Sequence, residues 1–578
     1  MSIRPQTLEQ YQSFMLIAQR KKSPSQWLKG VNVLNVYTGQ VETVHIHIAG
    51  DRIAYVGEKE PVVGPETKVI ELQPHQVIVP GYIEPHAHPF QWYNPFTWGD
   101  YVLKQGTTTS INDNMSLFKH LTDDQALQFI ERLDAEGDHL WLWWSRFDAQ
   151  TAFDEKSRTR FAPSSLQRWL SHRLVIQGGE FTSWPLFLEG DVQLQEAMLL
   201  TRQTYQKRVE GHLPGASAET LNALTAAGIG ADHESLNGED VVKRLRLGLY
   251  ATLRYSSIRP DLPELLKDIR QHPELNTNRL MLTNDGSMPY FLEGSGCDNM
   301  IRMVLNEGFE PAEAYRMATL NPATYYGIDL LLGGIAPGRL AHLNVLESLD
   351  EPTPTHVMVD GKWVIQDKKR RTLAATPQWI KDRFSPLQQN INCEVSWLEH
   401  ICGDIGVELV NEVITRPYTY TPDNELSEDE CYLSLLTNDG RYILNTRIKG
   451  FARHLEALAS TFTVTKDYIL IGRDKEKMIS VLKRTIEEGG GIRALFEDGN
   501  EQVIPLPLAG GMSPEPVETL ITMSQDFIEK LQHEGHPFND PIYTLLFLTA
   551  THLPFIRLTE QGLYAIKDKE WLMSSLRL

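Results

Sequence analysis

The chain is short of cysteine, of long apolar runs and of clustered basic residues, and each shortage excludes a class of protein. Four cysteines stand among 578 residues, at Cys297, Cys393, Cys402 and Cys431, with no Cys-x-x-Cys pair. A disulfide framework would be sparse at that length, so free, packed thiols in a reducing compartment are expected. Residues 1–23 hold only the short apolar stretch Phe14-Met15-Leu16-Ile17-Ala18, less than the core of a secretory signal. No run approaches the ~18 apolar residues of a membrane span. The expectation is a cytoplasmic protein with no membrane partner. Net charge is −20 and no Lys/Arg cluster offsets it. Nucleic acid is therefore not an expected partner, because phosphate binding needs a basic footprint.

What is present reads as ordered, multidomain protein. Hydrophobic residues make up 41% and charged residues 22%, which argues against large-scale disorder. The chain is too long for one core, and roughly 100–200 residues per domain gives two to four domains. A short amphipathic helix around residues 6–20 makes residues 1–24 an N-terminal extension. Val31, Val33, Val44, Ile46 and Ile48 then alternate with polar residues, the period of half-buried strands. Ala49-Gly50-Asp51-Arg52 is a turn signal, so residues 42–57 read as a hairpin.

After Pro80-Gly81 apolar runs alternate with helix-like stretches such as Asp123–Glu136 and Ala218–Ala227, the sign of parallel βα units. Eight candidate strands end near His88, Asp113, Phe147, Glu180, His212, His233, Arg254 and Asp285. The fold class expected is α/β, with residues 81–334 forming one (β/α)8 barrel. In that architecture catalytic side chains stand at the C-terminal ends of the strands. The β-pattern returns after Gly334-Ile335-Ala336-Pro337-Gly338 until about residue 372. Residues 25–80 and 335–375 are accordingly read as one small β-sandwich domain built from both flanks. Residues 385–578 form a third, α+β domain, with strands at Tyr442–Arg447 and Tyr468–Ile471, a helix at Lys475–Glu487 and a turn at Gly489-Gly490-Gly491.

The strand ends carry the chemistry. His86-Ala87-His88 follows an apolar run, and residues two apart on a strand face one side, so both imidazoles reach one metal; Zn, Fe and Mn all suit such ligands. His45-Ile46-His47 has the same spacing but sits in the hairpin with no further ligand nearby, and reads as the polar face of a strand. What separates the two is recurrence: Glu180, His212, His233 and Asp285 each end a later barrel strand. Asp285 is the one carboxylate in Leu282-Thr283-Asn284-Asp285-Gly286, and Gly286 is expected to supply the turn that aims it. Trp141-Leu142-Trp143-Trp144 reads as a buried barrel strand. Trp92, Tyr93, Phe96 and Trp98 are candidates either for packing or for lining a flat pocket.

Several segments together resemble the adenine deaminases of the amidohydrolase superfamily. They are Val79-Pro80-Gly81-Tyr82-Ile83-Glu84-Pro85-His86-Ala87-His88, Gly106-Thr107-Thr108-Thr109, Gly211-His212-Leu213-Pro214-Gly215, Ala227-Gly228-Ile229-Gly230-Ala231-Asp232-His233-Glu234, Met317–Ala323 and Gly334–Arg339. The likeness continues past the barrel in Gly489-Gly490-Gly491 and Pro505–Ser513. It implies two divalent transition-metal ions per chain, iron or manganese before zinc. His86, His88 and the strand-eight Asp would hold one ion, His212 and His233 the other, with Glu180 bridging. It implies a small-molecule substrate, a purine base or similar heterocycle, converted as adenine plus water to hypoxanthine plus ammonia. A homo-oligomer, a dimer, is also expected. Asp285 would take and return the proton, and Glu234 would protonate a ring nitrogen.

The sequence departs from that family around the same site. The aspartate pair on strand eight is Asn284-Asp285 here, which leaves the ligand as Asn284, a shifted Asp285, or neither. Pro89-Phe90-Gln91-Trp92-Tyr93 stands where a Glu-Ser-Ser segment is usual, and Asp113-Asn114-Met115-Ser116 replaces Asp-Pro-His-Glu. The C-terminal domain also lacks its paired histidines. Two other readings stay open on these grounds: hydrolysis of a cyclic amide or N-acyl group, and a non-catalytic descendant.

Overall fold

The run Val77–Pro80 is buried along its whole length, as a strand is when flanked on both sides within a covered sheet. In the computed structural model, which describes residues 3–148, 159–370, 375–387, 391 and 393–578, its neighbours come from the two ends of the barrel segment. Gln26–Asn35 pairs with it in parallel, and Leu343–Leu346 antiparallel, with Asn344 opposite Val79. The hairpin Gln40–Ala49 and Arg52–Gly57 extends one side of this sheet. His356–Val359 and Lys362–Gln366 extend the other. The expected end of the β-segment at about residue 372 lies outside the described residues. Ahead of the sheet, the helix Leu8–Ala18 opens on a reciprocal cap between Thr7 and Gln10.

The barrel follows at once. Its strands are β1 (Tyr82–Ala87), β2 (Thr107–Asn112), β3 (Leu140–Ser145), β4 (Val175–Phe181), β5 (Arg208–Gly211), β6 (Ala231–Asp232), β7 (Tyr250–Arg254) and β8 (Leu280–Thr283). They pair in chain order and all in parallel. The α/β class expected from the sequence is the one observed. Between strands, Asp123–Glu136 buries Ala126, Phe129, Ile130 and Leu133, the stripe that helical periodicity puts on one face. Ala218–Ala227 stops where Gly228 turns left-handed at φ 114°, a conformation glycine adopts without penalty. On β3, Trp141, Trp143 and Trp144 are all buried, as read.

Closure of the barrel is a small set of contacts between β1 and β8. Ala87 and Asp285 form a single parallel bridge. The Glu84 carboxylate accepts from Thr283 Oγ1 at 2.6 Å, from the Asn284 N–H at 3.1 Å and from the His86 N–H at 3.0 Å. Burial nevertheless pushes the Glu84 carboxyl up to about 8, because desolvation penalises the charged form more than three donors repay. Asp285 itself makes the turn, at φ 54°, and this corrects the expectation that Gly286 supplies it. Aspartate enters the left-handed region more readily than most residues. Gly286 is needed for a different reason. A Cβ there would lie 2.9 Å from Tyr543 Oη and 3.3 Å from His88 Cδ2.

The C-terminal sheet runs in the order Thr415–Thr419, Ile405–Leu409, Tyr442–Lys449, Glu430–Leu436, Tyr468–Gly472, Leu455–Ser460, Gly491–Phe496, Glu501–Pro505. Helix Lys475–Glu487 packs against it. The domain is tied to the barrel mouth just after His88. Met512–Ser513 pairs in parallel with Trp92–Tyr93, and Asn94 Nδ2 donates to the Ser513 carbonyl at 3.0 Å. The Asn94 Oδ1 meanwhile accepts from the Phe96 and Thr97 N–H groups and caps helix Pro95–Leu103. The segment that departs from the family after His88 is thus the one that docks the third domain. Among the described residues no helix is long and apolar enough to cross a membrane.

Candidate metal centre

Because β1 to β8 end at one rim, residues far apart in sequence converge there. His86 Nε2 lies 3.1 Å from His88 Nε2. Asp285 Oδ1 lies 3.1 Å from His88 Nε2 and 3.6 Å from His86 Nε2. Across the mouth, His212 Nδ1 lies 3.1 Å from His233 Nε2. Glu180 reaches both groups: Oε1 is 3.0 Å from His212 Nδ1 and 3.5 Å from His233 Nε2, and Oε2 is 3.9 Å from His88 Nε2. Glu234 Oε1 stands 3.3 Å from His212 Nδ1. All seven sequence candidates fall in one cluster.

The far side of the imidazoles explains why this is a place for cations. His86 Nδ1 is 3.1 Å from Glu210 Oε2, His233 Nδ1 is 3.3 Å from Glu210 Oε1, and His88 Nδ1 is 3.1 Å from Asp113 Oδ2. A neutral imidazole has one N–H. In the neutral form, with that N–H given to a carboxylate at Nδ1, the Nε2 atoms of His86 and His88 would both offer lone pairs to a cation held between them. Carboxylate-backed histidine is also the usual arrangement around a metal, fixing the ring and raising its basicity. The donor set of imidazole and carboxylate fits Zn, Fe or Mn.

Arginines complete the frame. Arg146 joins Asp113 (Nε to Oδ1, 3.0 Å) to Glu180 (Nη2 to Oε2, 2.6 Å), and Trp144 Nε1 donates to the same Asp113 oxygen at 3.1 Å. Arg254 Nη1 joins Glu234 Oε1 at 2.8 Å to Asp285 Oδ2 at 2.9 Å. Arg259 Nη1 holds Glu234 Oε2 at 2.6 Å. Burial alone would raise these carboxyls, but the surrounding cations outweigh it. Glu234 is held down to about 2 by Arg254, the two histidines and Arg259, and Glu210 to about 2 by His86 and His233. Asp113, Glu180 and Asp285 also sit below the ordinary carboxylate range. The resting form of Glu234 is therefore the carboxylate, and it can deliver a proton only after taking one up.

Sequence reading missed Glu210, Asp113, Arg146, Arg254 and Arg259 as parts of the site. Asp113 and Arg254 had a signal as strand ends, and Glu210 another, since Glu210-Gly211-His212 repeats the two-residue spacing of His86 and His88; Arg146 and Arg259 had none. The control pair lies elsewhere. His45 Nδ1 accepts from Trp27 Nε1 at 3.2 Å and from the Gly30 N–H at 3.0 Å. His47 is fully buried and stacks on Tyr55, so it packs in the sheet rather than forming part of a polar face. The cavity over the centre is lined by Phe90 and Gln91. Trp92, Tyr93 and Trp98 pack in the core instead. Replacing Glu210 with Gln should weaken metal affinity by about 10–100-fold, the usual cost of losing a carboxylate behind a ligating histidine. Competition with a calibrated chelator measures it.

Comparison with known proteins agrees with this picture. The amidohydrolase family model matches residues 77–364, and the adenine deaminase C-terminal domain matches residues 410–570. A protein from Halalkalibacterium halodurans named "Putative adenine deaminase" is 41% identical over 99% of this chain and 98% of its own length. One of Bacillus subtilis, also named "Putative adenine deaminase", is 38% identical over 97% of each. The adenine deaminase of Moorella thermoacetica is 29% identical over 93% of each.

Proposed function

Because the chain belongs to the adenine deaminase family of amidohydrolases, hydrolases acting on carbon–nitrogen bonds, we propose that it is a hydrolytic deaminase of adenine or a related heterocyclic amine. The observation that carries the reading is the convergence of four imidazoles, Glu180 and Asp285 at the barrel mouth, each ring of His86, His88 and His233 backed by a carboxylate. His86, His88 and Asp285 would hold one divalent ion and His212 and His233 the second, with Glu180 reaching both. When bound, such ions supply Lewis acidity, which brings deprotonation of water into the neutral pH range.

The protein's own groups do the rest. Asp285 is ionised, with one oxygen toward His88 and the other on Arg254, so it accepts the proton of the attacking water. The water oxygen bonds to the amine-bearing ring carbon, and Glu234, once protonated, supplies a ring nitrogen. Asp285 returns its proton to the departing amine, the C–N bond breaks and ammonia leaves; the proton of the added hydroxyl passes to Glu234, restoring the acid, and a ring carbonyl remains. Arg254 holds Asp285 and Glu234 at fixed separation, which keeps the two aimed at neighbouring positions of one substrate ring. Phe462, Val464, Leu508 and Phe547 of the C-terminal domain line the cavity above and limit water.

The test is elemental analysis of protein expressed with manganese or iron, followed by ammonia release from a panel of purines and pyrimidines. About two ions per chain and release from at least one aminopurine are expected. No bound metal under either condition would overturn the reading.

A further inference from the structure

The cavity over the centre has a volume of about 980 Å³, close to the upper limit of the about 300–1,000 Å³ typical for drug-sized ligands. A bare purine would leave most of it empty. Charged groups line it beyond the metal side as well, Glu412 and Lys567 among them. Asp113, Glu180, Glu234 and Asp285 line the metal side and are matched there by arginine and histidine. Lys119 and Lys466 line the same cavity, where the helix Met115–His120 meets the C-terminal domain. Among the described residues neither ammonium has a carboxylate partner. Lys119 Nζ donates to the Val464 carbonyl at 2.5 Å, and Lys466 Nζ to the Lys119 carbonyl at 2.5 Å. An ammonium has three N–H donors, so each keeps spare capacity.

Two further features set the pair apart. Lys466 sits at φ 69°, a left-handed conformation that a lysine adopts only at a cost, and such outliers mark functional positions more often than ordinary ones. Arg160 lies behind the pair, its guanidinium on the Phe118 and Leu121 carbonyls. Burial, then the neighbouring Lys466 charge, draws the Lys119 amine down to about 7; burial and Arg160 draw Lys466 down to about 8. Asp113 acts on Lys119 only beyond ion-pair distance, and half-buried cations with no carboxylate in contact among the described residues are costly, a cost that a bound anion removes.

We infer that the substrate carries an anionic group, a carboxylate or a phosphate, which Lys119 and Lys466 receive while its amine-bearing ring reaches the metal centre. This rests on the deaminase reading above and narrows it: the ring and the anion lie on one molecule that spans the cavity. A purely structural role for the two lysines, as a clasp between barrel and C-terminal domain, makes a different prediction.

The experiment uses manganese-loaded enzyme and two matched pairs, 9-propyladenine against 9-(2-carboxyethyl)adenine, and adenosine against adenosine 5′-monophosphate. Ammonia release and calorimetric binding are both read. One anionic member should exceed its neutral partner by about 10–100-fold in kcat/KM, the range for hydrogen bonds to a charged group. Which pair shows it separates carboxylate from phosphate. Lys119→Met and Lys466→Met should remove most of that advantage, mainly through KM, and Lys466→Arg should keep much of it. Equal use of neutral and anionic members, or equal losses for both in the lysine variants, would overturn the inference. If neither these compounds nor adenine itself releases ammonia, the deaminase reading fails, and binding decides: tighter binding of an anionic member to wild type than to Lys466→Met upholds the anion site, and equal binding overturns it.

Discussion

Joint replacement of His86 and His88 by alanine should abolish both bound metal and turnover, whereas the same change at His45 and His47 should leave metal content intact. The two pairs share a spacing and nothing else. His86 and His88 bring their Nε2 atoms within 3.1 Å of each other, with Asp285 and Glu180 closing the ring of ligand atoms. Removing both leaves Asp285 with no imidazole partner and Glu180 with only His212 and His233, and a site reduced to carboxylates binds these metals weakly. His45 and His47 have no such company. Losing His47 from the sheet core leaves a hole beside Tyr55, so that variant should lose about 1–3 kcal/mol of stability while keeping its ions. Elemental analysis of both proteins, with a thermal melt alongside, checks this. Equal loss of metal from the two would place the centre elsewhere.

Spacing alone did not distinguish these pairs in the sequence; recurrence did. A βα barrel puts the residue after each apolar run at one rim, so His86, Glu180, His212, His233 and Asp285 could be gathered from local pattern. Helices such as Asp123–Glu136 were legible for the same local reason, an apolar stripe between a cap and a stop. Contacts between distant strands left no such trace. Arg146 touches Asp113 and Glu180 from a third strand end, and nothing in Ser145-Arg146-Phe147 announces it. The turn at Asp285 was placed one residue late because Gly286 is the residue that propensity favours. Bridge formation between Ala87 and Asp285 fixes the backbone earlier, and the glycine is there for the close approach of Tyr543. The docking of Met512–Ser513 beside Trp92–Tyr93 was equally hidden, since a two-residue pairing has no periodicity to read.

Replacing Asp285 with Asn should lower turnover by about 10²–10⁴-fold, the contribution of a general acid–base group. The fall should be larger if an ion leaves with the carboxylate. A neutral amide cannot take a proton from water at useful pH, whereas the carboxylate can. The geometry leaves few substitutes. Glu180 is tied to Arg146, Glu210 lies behind the histidines, and Glu234 is shared between Arg254 and Arg259. Asn284 cannot replace it either, for its backbone N–H is bound to Glu84 and Asp285 lines the cavity. Asn284→Asp, which restores the aspartate pair of typical adenine deaminases, should therefore change turnover by no more than a few-fold, because position 284 is buried and does not line the cavity. Metal content measured on both variants separates proton transfer from ligation: Asp285→Asn with its ions retained and its rate lost assigns the base. Full activity in Asp285→Asn would take the role from that residue, and a large gain in adenine turnover from Asn284→Asp would move the strand-eight carboxylate one position back.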